Sequence, residues 1–286
     1  MKDFLISNPE VFELTVALVS VAAGTLGALL GLGGGVILIP FFTLVLGIHI
    51  KYAIGASLVS VIATSSGSAA TYVRDRMTNI RLGIFLEVAT TLGAITGVAL
   101  ATKISPSSLY LLFSVLLAWS AFAMIRRRDE ETAELSPDPL ADRLQLHSEY
   151  PSSSLTGYTS YRVSRTKLGF VLMYFAGCVS ALLGIGSGVL KVPAMDQAMR
   201  IPIKVSSATS NFMIGVTAAT SAGVYFMRGD ILPALAGPVG VGVLIGSQIG
   251  SRLLGVWDGK TIRLVFVVVL IIVAAEMGLK GVESFL

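Results

Sequence analysis

From Leu14 to Gly47 not one side chain is charged. A hydrocarbon core about 30 Å thick takes about 20 residues of helix to cross, so a run of this kind is membrane material. Residues Leu264 to Ala275 are almost entirely Val, Leu and Ile. The whole chain of 286 residues is 54% hydrophobic and 13% charged, with a mean hydropathy of +0.81. Soluble domains carry about 25% charged residues because their surfaces face water. The fold class read from this is an all-α polytopic membrane protein. Short alternating strands with an aqueous face are absent, which argues against a transmembrane barrel. The opening MKDFLISNPEVFE carries Asp3, Glu10 and Glu13 where a signal peptide would be basic, so no signal peptide is expected. The net charge of +4 suits basic cytoplasmic loops better than nucleic acid. The single cysteine, Cys178, lies in an apolar segment and is expected to act as a small buried residue.

The chain is a duplication. At an offset of 153 residues, Ala22 to Pro40 (AAGTLGALLGLGGGVILIP) lies over Phe175 to Pro193 (FAGCVSALLGIGSGVLKVP) without a gap. Across 22–76 against 175–229 there are 18 identities in 55 positions, too many for chance matching of apolar sequences. Between the halves lies a long polar stretch rich in Asp, Glu, Ser and Pro. The expected organisation is a first membrane repeat (1–125), a polar cytoplasmic linker (126–166) and a second repeat (167–286). The linker is expected to be partly disordered or lightly helical.

Each half offers five apolar segments. They run near 11–31, 34–48, 53–73, 80–102 and 107–125, then near 168–185, 188–200, 204–227, 231–255 and 261–282. The second of each half is short and interrupted by Gly and Pro, and it either crosses as a broken helix or dips in and returns. Five crossings would invert the halves relative to each other, and four would leave them parallel. Leaving out Lys191, an inverted arrangement places 15 Lys/Arg on the linker side and 5 opposite, against 13 and 7 for a parallel one. The positive-inside rule therefore favours inverted repeats in the cytoplasmic membrane, with the linker inside and both termini outside.

A short, broken hydrophobic segment at matching positions of two repeats is the best sequence pointer to a transporter's binding site. Gly31-Leu-Gly-Gly-Gly35 with Pro40 matches Gly184-Ile-Gly-Ser-Gly188 with Pro193. The candidate substrate-binding residues on these loops are Gly33, Gly34, Gly35, Gly186, Ser187 and Gly188. Helix starts after the glycines would aim N–H groups and partial positive charge at an anion. Close packing of small residues is the competing explanation for the glycines. The third segments add hydroxyls: Ser57, Ser60, Thr64, Ser65, Ser66 and Ser68 in one, Thr209, Ser210, Thr217, Thr220 and Ser221 with Asn211 in the other. Many such hydroxyls only bond their own backbone. Ser57, Thr64, Thr209, Ser210, Asn211 and, on the fourth segment, Gln248 are taken as neutral donors suited to a small oxyanion. Lys191, where the first half has Leu38, could neutralise that anion or reach an interface. Glu87, where the second half has Gly240, is the candidate for carrying a coupling proton, against pairing with a nearby Arg or lying at an interface. No cofactor or metal motif is read in the sequence.

Other functions fit less well. An intramembrane serine protease built on Ser187 needs a nearby base, yet the two histidines, His49 and His147, lie at a segment end and in the linker. An anion-selective channel is the main alternative to a transporter, but no filter signature is found.

The duplicated Gly-x-Gly-Gly-Gly-x-x-x-x-Pro element, the segment Ala208 to Thr217 (ATSNFMIGVT) and the two-half layout resemble the TauE/SafE family of membrane permeases, the sulfite exporters. The resemblance implies transport of small sulfur oxyanions or organosulfonates, a small anionic substrate and the lipid bilayer as partners, and no catalysis. Ser187 in place of a glycine marks the two loops as unequal. The topology has a direct check: S152C in the linker should react with a membrane-impermeant maleimide only after the cells are permeabilised, and labelling of intact cells would overturn it.

Overall fold

The computed structural model describes residues 9–101, 104–125, 137–151, 157–184 and 186–283. A backbone in lipid must satisfy its own polar groups, so apolar segments fold as helices. The first half runs α1 (Pro9–Leu30), α2 (Gly35–Pro40), the wider turn π1 (Phe41–Val45), α3 (Ile50–Arg74), α4 (Ile80–Ala101) and α5 (Pro106–Ile125). Next come α6 (Pro139–Arg143), β1 (Ser148–Pro151) and β2 (Tyr158–Tyr161). The second half runs α7 (Thr166–Leu183), α8 (Gly188–Pro193), π2 (Ala194–Ala198), α9 (Ile203–Met227), α10 (Pro233–Val256) and α11 (Gly259–Glu283). The duplication holds to the residue: α2 and α8 begin at 35 and 188, α3 and α9 at 50 and 203.

Among the described residues, seven helices (α1, α3, α4, α5, α7, α10 and α11) are long and apolar enough to cross a membrane. Helix α9 matches α3 at 25 residues. Together α2 and π1 hold 6 and 5 residues, about 16 Å of helix, roughly half of a bilayer core. Proline has no N–H for the helical ladder. After Pro40 and Pro193 the ladder widens, with Leu46 N–H reaching Phe41 O (3.2 Å) and Met199 N–H reaching Ala194 O (3.1 Å).

Each half packs by exchange with the other. Helix α1 runs parallel along α10, with Gly242 against Ala17, Gly246 against Val21 and Gly250 against Thr25. Helix α4 runs parallel along α7 in the same way, with Gly93 against Tyr174 and Gly97 against Cys178. At these glycines a Cβ would strike the neighbour's backbone, so their absence lets the helices touch. At the centre α3 and α9 run antiparallel: Ser65 meets Gly215, and Gly55 meets Asp230 just beyond α9. Helix α5 lies antiparallel on α11, where Leu111 meets Gly281 and Ser114 Oγ donates to Ala274 O (2.7 Å). Large apolar side chains such as Leu18, Ile84, Val115, Phe122, Leu244 and Leu264 point outward, as lipid contact requires. Cys178 is half-buried, with its backbone in the α4–α7 contact.

The linker differs from its expectation. Its described part forms α6 and an antiparallel β1–β2 hairpin, with Glu149 opposite Ser160. Ala141, Leu146, Tyr161 and Val163 pack onto Leu82, Leu86, Met173, Met195 and Met199 at one end of the helices. Asn79 Nδ2 donates to Leu146 O (2.8 Å) and to the Tyr161 hydroxyl (2.9 Å). Asp138 accepts from the N–H groups of Leu140, Ala141 and Thr166, tying α6 to the start of α7. Burial works against ionising this carboxyl, but the Thr166 and other N–H bonds outweigh it and hold it below the usual range. The few apolar residues here are too sparse for a sequence period, yet they suffice to cap an existing surface. Residues 126–136 and 152–156, Ser152 among them, lie outside the described residues, as do 1–8 of the opening segment.

Alanine at Gly93 or Gly246 should cost about 1–3 kcal/mol through forced separation of paired helices. Gly223 has no atom within 4 Å of its Cβ position, and its counterpart is Ala70. Gly223→Ala should be neutral or stabilising by up to about 1 kcal/mol. Thermal unfolding in detergent compares the three.

Candidate functional site

The two glycine loops meet at the centre, between α3 and α9. Gly31, Gly33, Gly184 and Gly186 all take positive φ (73°, 66°, 63° and 68°), a conformation that side chains disfavour. A Cβ on Gly188 would meet Gly31 O and Leu32 Cα, and one on Gly186 would lie 3.3 Å from Leu32 O. Val61 of α3 and Ile214 of α9 flank this contact, both beside Gly33.

Each helix that enters a loop leaves its last carbonyls without helical partners. The opposite half supplies donors for them. Ser210 Oγ donates to Gly31 O (2.7 Å), and its counterpart Ser57 Oγ donates to Gly184 O (2.5 Å). Asn211 Nδ2 donates to Ala28 O (2.6 Å), and Ser207 Oγ donates to Leu30 O (3.3 Å). From within each half, the Tyr72 hydroxyl reaches Ala28 O (2.9 Å) and the Tyr225 hydroxyl reaches Ala181 O (3.1 Å). The hydroxyls of Ser57 and Ser210 therefore form a reciprocal latch between the halves.

Beside the second loop lies a buried charged cluster. Lys191 Nζ donates to Glu87 Oε2 (2.9 Å) and to Thr217 Oγ1 (2.8 Å). Thr217 Oγ1 donates to Glu87 Oε1 (2.6 Å), and Thr90 Oγ1 donates to Glu87 Oε2 (2.8 Å). The Lys191 side chain is 0% exposed and that of Glu87 12%. An ion pair so placed survives burial because each charge meets its partner and further hydrogen bonds.

The halves diverge here. In the first half Thr64 Oγ1 accepts from Gly34 N–H (3.3 Å), whereas its counterpart Thr217 turns to the ion pair. Gly34 and Ser187 both have negative φ (−53° and −68°), so the position admits a side chain. Ser60 Oγ fills the space beside Gly34, 2.5 Å from where a Cβ would stand. The hydroxyls of Ser60 and Ser187 and Oδ1 of Asn211 are buried without a hydrogen-bond partner.

The expected site residues thus divide. Gly33, Gly34, Gly35, Ser57, Thr64, Gly186, Ser187, Gly188, Ser210 and Asn211 are buried around the loop junction. Lys191 and Glu87, considered separately from sequence, form one pair. Thr209 is buried but accepts from Asn79 N–H (3.1 Å), facing the α3–α4 turn. Gln248 is exposed on the outer face of α10, away from the loops. Several hydroxyls only bond their own helix: Ser66 to Ile62 O, Ser68 to Thr64 O, Thr220 to Val216 O and Ser221 to Thr217 O. The histidines hold structure. His49 Nδ1 accepts from Lys51 N–H at the start of α3, and His147 joins Asp142 to Val163 N–H in the linker.

Sequence reasoning missed a second buried pair. Asp196 on π2, 0% exposed, accepts from Arg263 Nη2 of α11 at 3.2 Å. An Asp inside an apolar segment, where the first half has Thr43, was the available signal.

The latch is testable apart from transport. Ser210→Ala strands Gly31 O in a dry interior and should cost about 1–3 kcal/mol, whereas Asn211→Ala should cost less because the Tyr72 hydroxyl still reaches Ala28 O. Ser66→Ala, on an exposed face, should leave the unfolding temperature unchanged.

Among known proteins, this chain is 25% identical over 270 residues to one of Bacillus subtilis (strain 168) described as "Probable membrane transporter protein YunE", covering 92% of this chain and 96% of that one. It is 24% identical over 240 residues to "Probable membrane transporter protein YdhB" of the same organism (84% and 89%). It is 27% identical over 229 residues to a "Probable membrane transporter protein" of Xylella fastidiosa (strain 9a5c) (79% and 78%). No solved structure matches. The profile of the family described as "Sulfite exporter TauE/SafE" matches residues 16–277. Nearly the full length is covered, including both glycine loops and the charged cluster, and the chain belongs to the sulfite exporter TauE/SafE family of membrane transporters.

Proposed function

We propose that this chain is a permease for small anions, sulfite or related sulfur oxyanions and organosulfonates, working by alternating access in the cytoplasmic membrane. The two repeats are inverted, the linker is cytoplasmic and both termini lie outside. The antiparallel course of α3 on α9 supports the inversion most directly, since these are corresponding helices. With that course, the loops enter the centre from opposite sides and stop about halfway through, where a transporter's binding site belongs.

The anion binds at the loop junction, beside Gly33–Gly35 and Gly186–Gly188, near the start of α8. Ser57, Ser210 and Asn211 hold the loops in place rather than touching the anion, because their donors are spent on carbonyls. Thr64 and Ser187 line the junction, and Lys191 supplies the positive charge. Rocking of one half against the other about the latch exposes this point to each side in turn.

Purified protein in proteoliposomes should take up sulfite, or another anion from a panel of sulfate, thiosulfate, sulfonates and carboxylates, with saturation and without altering it chemically. Gly188→Val should abolish uptake, since its added bulk lands on Gly31 and Leu32. A current that rises without saturation would mean a channel, and a chemically changed product would mean an enzyme.

A further inference from the structure

We propose that the Glu87 carboxylate is a built-in stand-in for the transported anion on Lys191 and Thr217, so that one proton accompanies each anion in the same direction. This rests on the permease reading above and adds its energy coupling.

The argument begins with charge balance. An unpaired charge in a dry interior is strongly disfavoured. With Glu87 ionised the pair is neutral, and an added anion would leave the site negative. With Glu87 protonated and the site empty, it would be positive. The stable states are therefore Lys191 with ionised Glu87, or Lys191 with a bound monoanion, such as bisulfite or a sulfonate, and a protonated, neutral Glu87. A proton joins the carboxylate as the anion arrives and leaves as it departs, while the ammonium keeps its three protons throughout.

The donors suit an oxyanion. Lys191 Nζ and Thr217 Oγ1 already hold two carboxylate oxygens. One turn before Lys191, whose N–H bonds Ser187 O (2.7 Å), the Ser187 hydroxyl is 2% exposed and unpartnered. Nor does the fold need the pair: the first half packs the same elements with Leu38 for Lys191, and the second has Gly240 for Glu87. Glu87, 12% exposed beside a lysine at 0%, is the member that a proton can reach.

Few other titratable groups bear on it. On α4 itself Thr90 and Thr91 donate to Glu87. From α7, Tyr174 bonds Thr96 and Cys178 lies at Gly97. From α9, Lys204 sits at the helix start near Asp258. Lys191 is the one charged group in contact with the carboxylate among the described residues.

The test uses the full chain with radiolabelled sulfite, or whichever anion of the panel it carries. Adding the anion to detergent-solubilised protein with a pH dye should register uptake of about one proton per anion bound. In proteoliposomes an acid-outside gradient should drive accumulation up to about tenfold per pH unit for one proton per anion. E87Q frees Lys191: binding should tighten about tenfold at neutral pH, lose its pH dependence, and take up no proton. K191M should lose binding, and E87Q/K191M, neutral and balanced, should fold yet fail to bind. Anion binding without proton uptake in the wild type, or pH-driven accumulation retained by E87Q, overturns the coupling and leaves the permease standing. A wild type that carries none of the anions removes both.

Discussion

Lipid offers no hydrogen bonds, so every carbonyl stranded at a helix end inside the bilayer must find a donor within the protein. Among the described residues two such ends lie buried, at Leu30 and Leu183, where α1 and α7 stop and the glycine loops begin. The donors come from helices α3 and α9, and the two that bridge the halves symmetrically are Ser57 and Ser210. Neither loop is satisfied by its own half alone. Interior backbone breaks thereby become a reason the two repeats assemble together.

The glycine contacts follow the same logic. Pairs α1–α10 and α4–α7 each join helices from different halves, and their backbones touch because Gly93, Gly97, Gly246 and Gly250 carry no Cβ. Small residues replace the hydrophobic drive that lipid cannot supply between helices. The contact is reciprocal, each half lending one helix to the other.

On this near-symmetric frame the charges are one-sided. Lys191 and Asp196, three and eight residues past Gly188, have Leu38 and Thr43 as first-half counterparts. Their partners Glu87 and Arg263 stand where the other half has Gly240 and Tyr110. A duplicated scaffold supplies the same backbone twice, and the charges break that symmetry, with one member of the Glu87–Lys191 pair drawn from each half. The unequal loops, with Ser187 for Gly34, add to the difference.

The sequence by itself determined the membrane class, the duplication, the glycine loops with their prolines and the family, because each of these is written in local pattern: uncharged length, a repeat without gaps, a motif. It also flagged Lys191 and Glu87, since a charge in an apolar run is conspicuous wherever it ends up. The partners were not legible. Residues 87 and 191 are joined, as are 196 and 263, only by helix packing, and nothing in one segment's composition says which face meets which neighbour. For the same reason Gln248 looked like a site residue and points outward, and Asn211 looked like a substrate ligand and caps Ala28. The linker hairpin was likewise invisible, because its few apolar residues gain their stability from a surface that the folded helices provide. Tertiary structure decided where each polar group spends its hydrogen bonds, and in a lipid-embedded protein that allocation separates the groups that hold the fold from those left without a partner.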